Sequence, residues 1–150
     1  MNTPLKTLQT IHLALCAAVF LFAVVIILIN RDSFFFDANP ANTMPYNPVF
    51  PIVGLISISV SMIVFKNITS KIEKTADTAS KLMQYQTAFI ASSSLLEGGA
   101  LFNIVGAFIS HNAFFLIFAA FNLIFLIRNR PTKEKLISVL DIPYHDSDKL

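Results

Sequence analysis

Residues 87–110 read TAFIASSSLLEGGALFNIVGAFIS. The run has no proline and one ionisable residue, Glu97. A helix needs roughly 20 apolar residues to cross a hydrocarbon core, so this stretch fits one crossing. Three similar runs lie around it. They are 11–29, IHLALCAAVFLFAVVIILI; 49–65, VFPIVGLISISVSMIVF; and 113–127, AFFLIFAAFNLIFLI. The last is short and is expected to extend over 112–128, with Arg128 snorkelling outward. It has no glycine or proline, which argues against a re-entrant loop. The first run is too long for a signal-peptide core of about 7–15 residues and has no small-residue cleavage site directly after it, so it is read as a retained span.

Composition agrees with these runs. The chain of 150 residues is 55% hydrophobic and 13% charged, with a mean hydropathy of +0.66. Soluble domains carry about 25% charged residues, and monomers avoid large exposed apolar patches. The expected fold class is therefore all-α: a polytopic membrane protein, one four-transmembrane-helix antiparallel bundle with a short C-terminal interfacial helix. The spans are about 11–29, 49–65, 87–110 and 112–128. They are separated by an outer loop 31–47 and a cytoplasmic hairpin 66–86, and followed by a cytoplasmic tail 129–150.

The loops carry their own signals. The outer loop, RDSFFFDANPANTMPYN, holds prolines and asparagines that speak against a regular helix. Phe34, Phe35, Phe36 and Tyr46 suit interfacial anchoring or docking of an outer partner. Pro48 and Pro51 fall in the opening turns of the second helix. Residues 66–86 lack glycine and proline, and Ile68, Ile72, Ala76, Ala79 and Met83 recur at helical spacing. The second and third helices are thus expected to extend past the membrane and turn back between Thr69 and Thr78. The two residues His111 and Asn112 leave only a tight turn before the fourth helix. Beyond Pro131 and Thr132, Leu136, Ile137, Val139 and Leu140 form an apolar stripe beside Lys133 and Lys135. That pattern predicts a helix on the inner leaflet, ended by Pro143, with residues 144–150 frayed.

Several function classes are poorly served. One cysteine, Cys16, allows no disulfide within the chain and neither a cysteine-pair redox centre nor a Cys/His zinc cluster. No catalytic residue, metal site or cofactor is assigned. A basic face with stacking aromatics is missing, so no nucleic-acid partner is expected. No phosphate-binding loop, Gly-x-Ser-x-Gly elbow or internal repeat occurs, and the Asn67-Ile68-Thr69 acceptor pattern falls on the inner side. An enzyme acting on lipid or quinone would need several convergent polar groups, and one carboxylate is thin support.

Glu97 is the residue that stands out. Insertion scales put a mid-membrane charge at about +2.5 to +3.5 kcal/mol. Without a lysine or arginine in any span to pair with, it is expected to be protonated at rest or to reach water. At about 100° per residue, Ser93 and Ser94 share its side and are candidate hydrogen-bond partners, making Glu97, Ser93 and Ser94 the candidate functional or proton-binding set. The opposite side carries Ser92, Gly99, Asn103 and Gly106, a seam of small and polar residues along which a neighbouring helix can approach. Gly54, Ser57 and Ser61 on the second helix and Asn122 on the fourth match it, and His12, Cys16, Ala23 and Asn30 align on the first. Asn122, Asn103 or the serines are candidate partners for Glu97, whereas His12 is too near the inner boundary.

The reading is a small non-catalytic membrane protein: an accessory, regulatory or self-associating subunit whose partners are the bilayer and a homo-oligomer or larger complex. The alternative is a proton-coupled or ion-handling transporter using Glu97. With no organelle signal evident, a bacterial-type inner membrane is the expected compartment. Of the 11 lysines and arginines, only Arg31 falls outside the segments assigned to one side of the membrane. The positive-inside rule then puts both termini in the cytoplasm. A C-terminal reporter that works only in the cytoplasm should be active, and activity of one that works only outside overturns this topology.

Overall fold

The computed structural model describes residues 4–142 and is all-helical. The expectations for Pro143, for residues 144–150 and for the side of Lys149 lie outside the described residues. The helices are α1 (Pro4–Ile29), α2 (Pro40–Thr43), α3 (Tyr46–Thr69), α4 (Thr78–Ser110), α5 (Phe114–Arg128) and α6 (Lys133–Leu140). α1, α3 and α4 are long and apolar enough to cross a membrane. α5 has 15 residues, about 22 Å at the helical rise, short of a hydrocarbon core of about 30 Å. It passes the same test only together with α6, across a 77° bend.

Local chemistry sets the boundaries. Asn47 before Pro48 is non-helical (φ −97°, ψ 119°), as the proline ring requires of its predecessor, so the regular part of α3 starts at Pro48. α3 ends at Thr69 and α4 starts at Thr78, capped by Asp77, whose carboxylate accepts from Ser80 N–H at 3.2 Å. Thr132 likewise caps α6, accepting from Lys135 N–H at 3.3 Å. α4 stops where His111 takes the left-handed conformation, with φ 53°.

Some boundaries differ from the sequence reading. α1 begins at Pro4, because nothing between Pro4 and Ile11 breaks a helix. The outer loop does hold one helical turn, α2, with Pro40 at its start and Asn39 capping it. Asn112 is not a residue of α5: it is fully buried in the α4–α5 turn. The stripe of α6 is turned toward protein, because Leu136 and Leu140 pack with Leu8, Leu82, Tyr85 and Phe89. Of the four stripe residues, Val139 alone is exposed.

α4 is the axis of the bundle, with α1, α3, α5 and α6 all packed against it. Its buried side chains join three apolar clusters. Leu82, Tyr85 and Phe89 belong to the α6 end; Leu96, Ala100 and Ile104 meet Val19, Ile26, Ile58 and Leu126 midway; Ala107 meets Phe50 and Phe115 at the other end. The outside is apolar too: Leu13, Phe20, Leu28, Ile56, Met62 and Phe121 are all largely exposed. Such a surface suits lipid, not water.

The loop 31–47 is tied to the α4–α5 turn. Phe35 N–H donates to His111 O at 3.0 Å, and Ala113 N–H donates back to Phe35 O at 2.9 Å. Asn112 Nδ2 donates to Asp37 O at 2.7 Å, while its Oδ1 accepts from Asp37 N–H at 3.2 Å. His111 Nδ1 lies 2.9 Å from Asn30 Oδ1, the amide of Asn30 being oriented by its bond to Ile26 O. Of the four aromatics expected as anchors, Phe34 and Tyr46 are half-buried against the bundle and Phe35 and Phe36 stay exposed.

The Asp37 carboxyl is held below the ordinary aspartate value, first by Asn39 N–H and then by the Asn42 side-chain amide. A depressed native pKa contributes stability above the unfolded value that is lost as pH falls through the native one. Amide exchange at Phe35 and Ala113 should therefore quicken as pH drops through the carboxylate range, after correction for intrinsic rates. Asp37→Asn should abolish that dependence, and an unchanged profile in the variant would discount Asp37 as its source.

Candidate functional site

The seam residues meet at the middle of the bundle. Ser92, Gly99, Asn103 and Gly106 of α4, Gly54, Ser57 and Ser61 of α3, and Asn122 of α5 are all buried. Absence of side chains makes the approach possible. A Cβ on Gly99 would overlap Ser57 Oγ and come within 2.7 Å of Asn122 Oδ1. One on Gly54 would stand 2.6 Å from Asn103 Nδ2, and one on Gly106 2.7 Å from the Phe50 ring.

Polar groups then pair across the gap. Ser57 Oγ has two acceptors for its single hydrogen, Asn122 Oδ1 at 2.7 Å and Gly54 O in its own helix at 2.8 Å. Asn122 Nδ2 donates to Gly54 O and to Phe118 O, both at 3.0 Å. Ser61 Oγ donates across to Ser92 O at 2.8 Å, while Asn103 Nδ2 donates within α4 to Gly99 O at 2.9 Å. In a dry interior each pairing removes a polar group that hydrocarbon would leave unmet. Within membranes such contacts contribute about 0.6 to 2 kcal/mol each. His12 makes an equivalent link on the far side, its Nε2 2.8 Å from Leu126 O of α5, with Cys16 Sγ 3.7 Å from the same nitrogen.

These side chains bond to one another or to backbone carbonyls, Asn103 Oδ1 alone among them being buried without a partner, and none bonds to Glu97. Among the described residues Glu97 has no hydrogen-bond or ion-pair partner. The serines beside it separate: Ser93 is fully buried with an unpartnered Oγ, and Ser94 is exposed. Glu97 lies between the two around the helix, partly exposed at the edge of the buried face. Ile90 and Phe108 share that edge and are themselves exposed, so the carboxyl stands on an apolar outer flank. Among the described residues no three of His, Cys, Asp and Glu come together as a metal would need.

Sequence reasoning did not anticipate the junction at Asn30, Asp37, His111 and Asn112. Its signal was the concentration of amide and imidazole side chains at predicted span ends, where backbone groups lose their helical partners. Comparison with protein-family models, curated proteins and solved structures finds no match to this chain.

Gly98 and Gly99 are adjacent and make a paired test. Nothing lies within 4 Å of a Cβ on Gly98. Gly99→Ala should destabilise the fold in detergent by about 1–3 kcal/mol, the usual range for overpacking, and Gly98→Ala should not destabilise it. Steric-trap unfolding measures both, and equal effects would discount the close approach.

Proposed function

We propose that this protein is a non-catalytic, self-associating or accessory subunit embedded in a bacterial-type inner membrane. It forms a single domain that crosses four times as an antiparallel bundle with both termini cytoplasmic, α5 serving as the short fourth span. The lysine and arginine distribution supports the orientation, and the apolar exterior of α1, α3 and α4 supports the bilayer as surroundings.

One observation carries the functional reading. Glu97 lies near the middle of α4, on an exposed apolar flank, and among the described residues it has no partner. Leaving a carboxyl against lipid is costly even when it is neutral, because its hydrogen-bonding groups lose water. The seam's own polar hydrogens already bond elsewhere, to Asn122 Oδ1 and to backbone carbonyls, and its one open acceptor, Asn103 Oδ1, is buried on a different face of α4 from Glu97. A second helix placed on the α4 flank, from another copy or another protein, supplies the missing hydrogen bonds and covers Ile90 and Phe108 at the same time. The carboxyl then acts as an addressed contact: neutral, directional and rare enough to specify the partner's register.

Glu97→Gln keeps a donor and an acceptor at that position, whereas Glu97→Leu keeps only bulk. Association in lipid bilayers, read by energy transfer between labelled full-length copies or by co-purification, should survive in Glu97→Gln. It should weaken about 3- to 30-fold in Glu97→Leu, the equivalent of about 0.6 to 2 kcal/mol. Unchanged association in Glu97→Leu would sink the reading. Loss in Glu97→Gln would point instead to a carboxyl that must titrate.

A further inference from the structure

A second feature lies at the α6 end of the bundle. α3, α4 and α6 enclose a cleft of about 460 Å³. Its walls are apolar, formed by Met62, Ile63, Phe65, Phe89 and Val139. It opens toward the outside of the bundle, since Met62, Ile63 and Val139 are largely exposed. Lys66 and Lys135 line the same cleft, and Arg128 lines a smaller hollow of about 200 Å³ that shares Ser61, Met62 and Asn129 with it. No acidic residue lines either.

The cations are not neutralised. Among the described residues the Lys66 ammonium has no ion-pair or hydrogen-bond partner. Lys135 Nζ is held by Arg128 O at 2.8 Å and Arg130 O at 3.0 Å, which are neutral carbonyls at the end of α5. Those bonds fix the ammonium in place and leave its charge and its third N–H available. The two serines of the cleft are already in use, Ser61 Oγ donating to Ser92 O and Ser92 Oγ to Phe89 O. A ligand must therefore be apolar inside and anionic at the rim.

We infer that this cleft binds one anionic phospholipid, an acyl chain lying between α3 and α6 and the phosphodiester between Lys66 and Lys135. The inference rests on the proposed membrane orientation, which puts this end at the inner leaflet, where anionic headgroups and basic inter-helical pockets meet. α6 then has a task beyond covering Leu8 and Tyr85: it is the floor of a lipid site, and the 77° bend after α5 brings Lys135 to the rim.

The test uses full-length protein in detergent mixed with phosphatidylglycerol or phosphatidylcholine of identical chains, bound lipid being counted by native mass spectrometry. Wild type should retain phosphatidylglycerol over phosphatidylcholine. Lys66→Gln should reduce that preference about fivefold, the effect expected of one lysine near an anionic surface, without changing phosphatidylcholine retention. Val139→Trp, which fills the cleft and leaves both lysines, should lower retention of both lipids. No preference in wild type, or a preference untouched by Lys66→Gln and Val139→Trp, overturns the site. Association through Glu97 is read separately, so loss of lipid selectivity with intact association fails this inference alone.

Discussion

The amide of Asn122 is the contact on which the rest of the bundle depends. From α5 it accepts from Ser57 and donates to Gly54 O, binding itself to α3 at two points. The same oxygen stands close to where a side chain on Gly99 of α4 would begin. One planar group thus bonds α5 to α3 while α4 packs close against it, and glycine at positions 54 and 99 is the condition for that approach. Dispersion between apolar side chains is non-directional and permits helices to slide. The amide is directional and does not. In a medium without water, a slide of one residue would strand several polar groups at once.

Much of this was legible in the sequence because the relevant signals are local. Apolar run length located the long helices, and the missing glycine and proline after Gly54 predicted that α3 and α4 would extend beyond their apolar segments. The seam was legible because Ser92, Gly99, Asn103 and Gly106 recur on one helical face. What the seam residues pair with was not legible. Asn103, Asn122 and the serines were candidates for Glu97, and the structure pairs Ser57 with Asn122 and Ser61 with Ser92 while leaving the acid aside. A helical wheel gives the side of a helix but not which neighbour covers it. The same gap explains α6, whose stripe has the composition of a membrane-surface helix yet packs on protein at Leu136 and Leu140.

Placing the polar groups in two classes clarifies the molecule. The inner class, apart from Ser93 Oγ and Asn103 Oδ1, is bonded within the bundle and ties α3, α4 and α5 together. The outer class, Glu97 with the Lys66–Lys135 rim, is left unsatisfied by the chain's own side chains. Proteins spend few hydrogen bonds on nothing, and in a small bundle unspent polar groups at the perimeter define where another molecule belongs. Glu97 is not among the residues that line the cleft, so the proposed helix contact and the inferred lipid site are separate.

The two ends of the bundle are held by different kinds of force. At the α4–α5 turn, backbone and amide hydrogen bonds join Phe35, Asp37, His111 and Asn112, fixing angle as well as distance. At the other end α6 is held chiefly by apolar contact through Leu136, Leu140 and Ile142, with one exposed ion pair between Lys74 and Asp141 at 3.9 Å. Apolar surfaces resist separation but tolerate shear. The end at Phe35, His111 and Asn112 is therefore held in angle and in distance, whereas the α6 end is left free to shear where α3, α4 and α6 part around the cleft.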